Sequence, residues 1–429
     1  MKLWTVLSLC VFVCAKHEHY TGWHSYYIEP STQEQLQALG VILQEYAVDV
    51  LSHPILKRPG IVLVRPEHQH GFTKALETEG IAYRMYSSDV KRALDHDDRR
   101  MQAKKIENLA RHKKELPYDN YQELEKIDEY LVDIANRYPE KVTLVTPANS
   151  FEGHPIKYLK ISSTNFEDIS KPVIFIDGGI HAREWIAPPT VTWAIHKLVE
   201  NVTEPDLLDA FDWILLPVVN PDGYKFTFTG PRFWRKTRSI NEDPSSITCP
   251  GVDGNRNYDF FWNTVGTDDS PCTETYAGSE PFSEVETRVV RDILHEHLNR
   301  IALYITMHSY GSMILYPWGH DGTFSNNSMD LHAVGVAMAD EIQAKSLSHF
   351  PKYVVGNSFQ VIGYATSGSS EDYAHSIGIP LAYTIELPGL GQSFEGFHLD
   401  PSYIEQVCSE TWEGFVAGAA LAGELFTNK

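Results

Sequence analysis

Short apolar runs separated by helical patterns constrain this chain more than any other feature. Lys141–Thr146, Ile156–Ser162, Val173–Asp177, Trp213–Val219, Ala302–Met307 and Leu381–Leu387 read as strands, and helical patterns occupy about 186–200, 283–299, 330–345 and 402–424. Strands apolar throughout must be covered on both faces, and the intervening helices supply the cover. The expected fold is α/β, a central mixed and mostly buried β-sheet flanked by helices. It opens near Tyr118, where Asn120 is placed to cap a helix with Glu123 three residues on. Leu124, Ile127, Leu131 and Ile134 line one face of that helix before Pro139 ends it.

A smaller unit precedes it. Ser25–Ile28, Gln33–Tyr46, a stretch near Val48, Gly60–Arg65, His68–Glu79 and Ala82–Met85 alternate as strand, helix, strand, strand, helix, strand. That order specifies a ferredoxin-like α+β module, and it holds no catalytic cluster of its own. Residues 88–114 then turn charged and helix-prone, from Asp95 through Arg99, Arg100, Lys104 and Lys105 to Arg111 and Lys114. An exposed basic connector is a target for a trypsin-like protease, although its composition also suits an ordinary interdomain linker.

At the amino end, Lys2 precedes an apolar run from Leu3 to Val13, with a small residue at Ala15. This is a signal-peptide pattern, too short to span a bilayer, so the chain is expected to be secreted and not membrane-bound. The resulting division of the 429 residues is 1–15 signal, 16–100 amino-terminal module, 101–116 connector and 117–429 main domain. The formal charge of −21 repels phosphate backbones and anionic lipid, which disfavours nucleic acid as a partner. After signal removal Cys249, Cys272 and Cys408 remain, enough for one disulfide; Cys249 and Cys272 share a loop-like stretch that an oxidising compartment lets close. Cys408, in a helical pattern, reads as a buried thiol. Sequons start at Asn201 and Asn326, acceptors for glycan or chance occurrences.

Several hydrolytic engines are missing: there is no G-x-S-x-G elbow, no H-E-x-x-H helix and no C-x-x-C pair. H-x-x-E occurs at His112–Glu115, inside the basic connector, and at His181–Glu184, directly after a buried-strand pattern that ends in Gly178 and Gly179. A sharp turn at a strand end aims an imidazole and a carboxylate at one centre, held by a rigid sheet. A metal there needs a further ligand, and His308 sits at the tip of another strand pattern, either as that ligand or as a satisfied histidine. Glu386 shares one strand face with Ala382 and Thr384; a carboxylate so placed is either paired with a neighbour or a base facing water. Arg232–Arg238 and Asp253–Asn257 are cationic stretches in an acidic chain, suited to carboxylate capture and oxyanion stabilisation or simply solvated loops.

Taken together, His181–Trp185, Asn220–Tyr224, Phe233–Ser239, Gly251–Asn257 and His308–Tyr310 resemble the secreted zinc carboxypeptidases of the pancreatic A/B type, from about Tyr118 to the end. Residues 20–100 resemble that family's activation domain. The resemblance implies one Zn2+ per chain on His181, Glu184 and His308, with Glu386 as base and Arg235 polarising the scissile carbonyl. It further implies Asn255, Arg256 and Tyr364 on the terminal carboxylate, Arg183 at outer subsites, and a Cys249–Cys272 disulfide. The partners implied are peptides with a free C-terminus and an activating trypsin-like protease, for a monomeric enzyme. Glu371 stands where this family sets side-chain preference, and an acid there resembles B-type enzymes that take Lys or Arg. Phe359 and Gly319 resemble the A-type pattern, which favours apolar or aromatic residues, so that alternative stands beside it. A further alternative is an inactive relative that grips C-termini without cutting.

Overall fold

A computed structural model describes residues 16–109, 116–389, 397 and 399–427; the expected signal segment 1–15 lies outside them. The amino-terminal module contains β1 (His24–Glu29), α1 (Gln33–Glu45), β2 (Asp49–Ser52), β3 (Gly60–Val64), α2 (Gln69–Thr78) and β4 (Ala82–Ser87). Its sheet runs in the order β2-β3-β1-β4 with antiparallel neighbours, the ferredoxin-like arrangement expected. Thr32 starts α1 by accepting a hydrogen bond from the Gln35 N–H. Leu36, Leu39, Ile42 and Leu43 then bury one face of the helix, the last three against Tyr26, Ile28, Val62 and Val64. Helix α3 (Val90–Leu109) takes up most of the charged connector.

The main domain is built on an eight-stranded mixed sheet in the order β11-β10-β12-β9-β7-β8-β6-β5. In chain order these strands are β5 (Val142–Asn149), β6 (Pro155–Ile161), β7 (Val173–Gly178), β8 (Asp212–Leu216), β9 (Ile301–Ser309), β10 (Met313–Tyr316), β11 (Val354–Asn357) and β12 (Leu381–Leu387). Its larger helices are α4 (Leu124–Arg137), α5 (Ala187–Val199), α6 (Pro221–Thr229), α7 (Val285–Glu296), α8 (Ser328–Lys345), α9 (Ser370–Ser376) and α10 (Ile404–Thr427). The strand period of two divides the core. Ile174, Ile176, Trp213, Leu215, Leu303 and Ile305 join α4, α5, α8 and α10 on one face. Val173, Phe175, Ile214, Leu216 and Tyr304 join α7 and α9 on the other.

Two local details differ from the sequence reading. Helix α4 starts at Leu124, and the Asn120 carboxamide accepts instead from the adjacent Tyr121 N–H, because the chain is still extended at Glu123. Strands β10 and β11 add an edge to the sheet beyond β12 that the apolar runs did not reveal. Cys249 and Cys272 are bonded, and Cys408 is a buried thiol on α10. Among the described residues no helix is long and apolar enough to cross a membrane.

Candidate active site

Strands β7, β9 and β12 are parallel neighbours, so their carboxyl ends open at one edge of the sheet, where ligands of open α/β sheets gather. After β7 the chain turns through Gly179 at φ +70°, a conformation that suits glycine, and reaches His181 before α5 begins. Register then fixes the other members: His308 is the penultimate residue of β9, and Glu386 on β12 lies directly opposite it.

The two histidines meet on Glu184. His181 Nδ1 is 2.7 Å from Glu184 Oε1, His308 Nδ1 is 3.0 Å from Glu184 Oε2, and the two Nδ1 atoms are 3.0 Å apart. All three side chains are buried, and their donor atoms lie within 4.8 Å of one another. Burial opposes charge on Glu184, but His181 and His308 outweigh it and hold the carboxyl below its usual range. On His308 burial likewise opposes the charge, and Glu184 reverses this, raising the imidazole to about 9. His181 is lowered by burial and by the nearby Arg235. Two imidazoles and a carboxylate converging in a dry site form a donor set suited to zinc.

Asp253 escaped the sequence reading as a member of this site, although it lies inside the quoted Gly251–Asn257 motif. Its Oδ1 is 3.0 Å from His181 Nε2, and its Oδ2 accepts from Arg235 Nε at 3.0 Å and Nη2 at 2.8 Å. Burial pushes the Asp253 carboxyl up, yet Arg235 and His181 keep it well below the usual carboxylate range. A carboxylate on the far nitrogen fixes ring orientation and tautomer. The same Asp253 aims the Arg235 fork.

The cleft beside this cluster also takes in Arg235, Asn255, Arg256, Glu371 and Glu386. Glu386 is pushed up to about 7, first by burial and then by the charge of Glu184. Arg256 donates from Nε to Gly266 O and from Nη1 to Asn255 O, while Asn255 Oδ1 accepts from the Ser370 N–H. Two adjacent acids sit at the start of α9. Asp372 is taken up by the N–H groups of Gly319 and His320, whereas Glu371 Oε2 is buried with no hydrogen-bond partner among the described residues. Glu371 lines the cleft with that oxygen free, and its carboxyl is raised to about 7 by burial and by Asp372. Phe359 is not in this cleft; it lines an adjoining hollow with Tyr364.

Arg183 and Tyr364 meet the amino-terminal module. Arg183 Nη1 donates to both carboxylate oxygens of Asp49 at 2.7 and 2.9 Å, and Nη2 donates to Val50 O. The Tyr364 hydroxyl is 2.7 Å from His53 Nδ1. Val50, Leu51 and His53 line the cleft itself, so the module lies over it.

Residues 127–414 match the family model described as zinc carboxypeptidase, and residues 26–97 match the one described as carboxypeptidase activation peptide. The chain is 64% identical to Carboxypeptidase B of Helicoverpa zea over 427 residues, 99% of this chain and 100% of that protein. It is 42% identical to Carboxypeptidase B of Astacus astacus over 301 residues, 70% of this chain and 96% of the relative. Among solved structures, carboxypeptidase A from Helicoverpa armigera superposes with a TM-score of 0.89 at 42% identity, covering 95% of this chain and 99% of that one.

Proposed function

The chain belongs to the zinc carboxypeptidase family and carries its activation peptide, and from that premise we propose that it is the precursor of a B-type exopeptidase removing C-terminal Lys or Arg. The observation that carries this reading is the convergence of His181, Glu184 and His308 beside Glu386, with Glu371 in the same cleft and its buried Oε2 without a hydrogen-bond partner among the described residues.

His181, Glu184 and His308 are the residues that would hold the metal. When bound, zinc supplies Lewis acidity toward a carbonyl oxygen and makes water a better nucleophile at neutral pH. The remaining steps belong to the chain's own groups. Arg256, Asn255 and Tyr364 bind the terminal carboxylate. A mid-chain peptide would leave those polar groups unpaired, which restricts cleavage to the last bond. Glu386 takes a proton from the attacking water and delivers it to the departing amine. Arg235, oriented by Asp253, donates to the oxyanion that forms as the carbonyl is attacked. Arg183 becomes available to residues further along the peptide once Asp49 leaves. Glu371 receives the ammonium or guanidinium of the departing residue, a role that fits a buried carboxylate with one oxygen free.

Secretion by way of residues 1–15, and activation by a trypsin-like protease within 101–116, complete this reading. The decisive assay incubates trypsin-treated protein with peptides ending in Lys, Arg, Phe, Leu and Glu, with and without a chelator. Release of terminal Lys or Arg that stops on chelation and returns with zinc is expected. Internal cleavage, or trimming indifferent to the chelator, would overturn the proposal.

A further inference from the structure

Away from the cleft, the turn that leads into α8 presents Phe324, Asn326 and Ser328 at alternate positions. Phe324 is 62% exposed, and its ring has no aromatic partner among the described residues. The residues beside Asn326 are tied inward. Ser325 Oγ lies 2.6 Å from His375 Nε2 and donates to Asn327 Oδ1 at 2.6 Å, while Asn327 Nδ2 donates to Pro380 O at 2.7 Å. Asn326 is thereby left exposed at the tip of a well-held turn. An open hollow of about 450 Å3 lies beside it, lined by Trp318, Phe324, Ser325, Asn327 and His375 as well as Asn326. Trp318 is itself braced, with ring centroids 4.9 Å from both Phe260 and His375.

A sequon, an outward acceptor, a bare aromatic ring two residues before it and an adjoining hollow are parts of one arrangement. We propose that Asn326 carries an N-linked glycan whose first sugar lies along the Phe324 ring and occupies the hollow beside Trp318. In the transfer, the Asn326 amide nitrogen bonds to C1 of a sugar carried on a polyisoprenyl diphosphate. The C1–O bond to the diphosphate breaks, and the amide proton is lost as the diphosphate leaves. The C–H face of a pyranose is apolar enough to cover an aromatic ring, so the sugar shields surface that otherwise stays in water. The other sequon lacks this: Asn201 is exposed, but the residue two before it is Val199, 8% exposed and packed into the core.

The test uses the full chain secreted from a eukaryotic host. Enzymatic deglycosylation in 18O-water, followed by peptide mass spectrometry, is expected to convert Asn326 to labelled Asp; an unlabelled Asn326 overturns the proposal. The stacking has its own readout in thermal unfolding. Phe324→Ala is expected to lower Tm by about 1–2 °C in the glycosylated protein and in protein trimmed to one N-acetylglucosamine, with no change after complete removal. An equal loss in the fully deglycosylated protein would show that Phe324 acts without the sugar.

Discussion

Glu386 and Glu371 are both raised to about 7 by burial first, and then by a neighbouring carboxylate, Glu184 or Asp372. A base with that affinity is poised to accept a proton near neutrality. Glu386→Gln keeps the side-chain volume and removes the basicity, so metal analysis should show unchanged zinc content while kcat falls by roughly 10²- to 10⁴-fold. Wild-type turnover in that variant would remove Glu386 from the reaction. In the proposed role Glu371 attracts a cationic side chain only when ionised, and its pKa, raised to about 7, favours the protonated form below that value. The efficiency kcat/KM for Lys-ending peptides should therefore fall as pH drops through that value. With Glu386 as the proposed base, its protonation would lower every substrate's rate alike, so the ratio of Lys to Phe peptides isolates Glu371. From pH 8 to 5.5 that ratio should shrink by about tenfold or more, and Glu371→Ile should invert it toward Leu and Phe. A flat ratio would mean that Glu371 does not read the substrate.

The elements most legible in the sequence were those buried on both faces. Strands β7, β9 and β12 could be read because continuous apolar runs have few other fates, and their carboxyl ends carry His181, Glu184, His308 and Glu386. Strands β10 and β11 span four residues each; β11 lies at the sheet edge, with Val354 exposed and Gly356 interrupting it, so neither declares itself by pattern. Asp253 was equally opaque, since only tertiary proximity to His181 and Arg235 distinguishes it from a loop acid. Helix α10 hides another such group. Glu410 is fully buried, accepting from Ser346 Oγ at 3.3 Å and Gln406 Nε2 at 2.9 Å, and burial raises it to about 7. Between the ordinary carboxylate range and pH 7 the unfolded chain releases this proton while the folded chain keeps it. Stability accordingly declines as pH rises through that window. Glu410→Gln should raise Tm at pH 8 and change it little at pH 4, as measured by calorimetry. An equal shift at both values would mean that ionisation of Glu410 is not the cause.

Across the whole molecule, the amino-terminal module occupies the groups proposed to bind substrate. The Asp49–Arg183 pair joins residues 134 positions apart, and His53 and Tyr364 are separated by 311, distances over which no sequence pattern couples two side chains. The resemblance of residues 20–100 to an activation domain implied a cover, but the contacts that enforce it were not legible. Full-length protein should hydrolyse peptides at a small fraction of the rate reached after trypsin treatment, with the cut mapping to residues 101–116. Asp49→Ala tests how the cover is held. The guanidinium of Arg183 is buried, and removing its partner leaves a desolvated charge, an arrangement that costs about 3–5 kcal/mol. That cost applies only while the module stays docked, so uncut Asp49→Ala protein should show raised peptide hydrolysis. After cleavage it should match the wild type, because residue 49 has then departed with the module. Uncut variant protein as silent as the wild type would show that packing by Val50 and Leu51 holds the cover without the ion pair. A loss of activity after cleavage would place Asp49 in the folding of the catalytic unit instead.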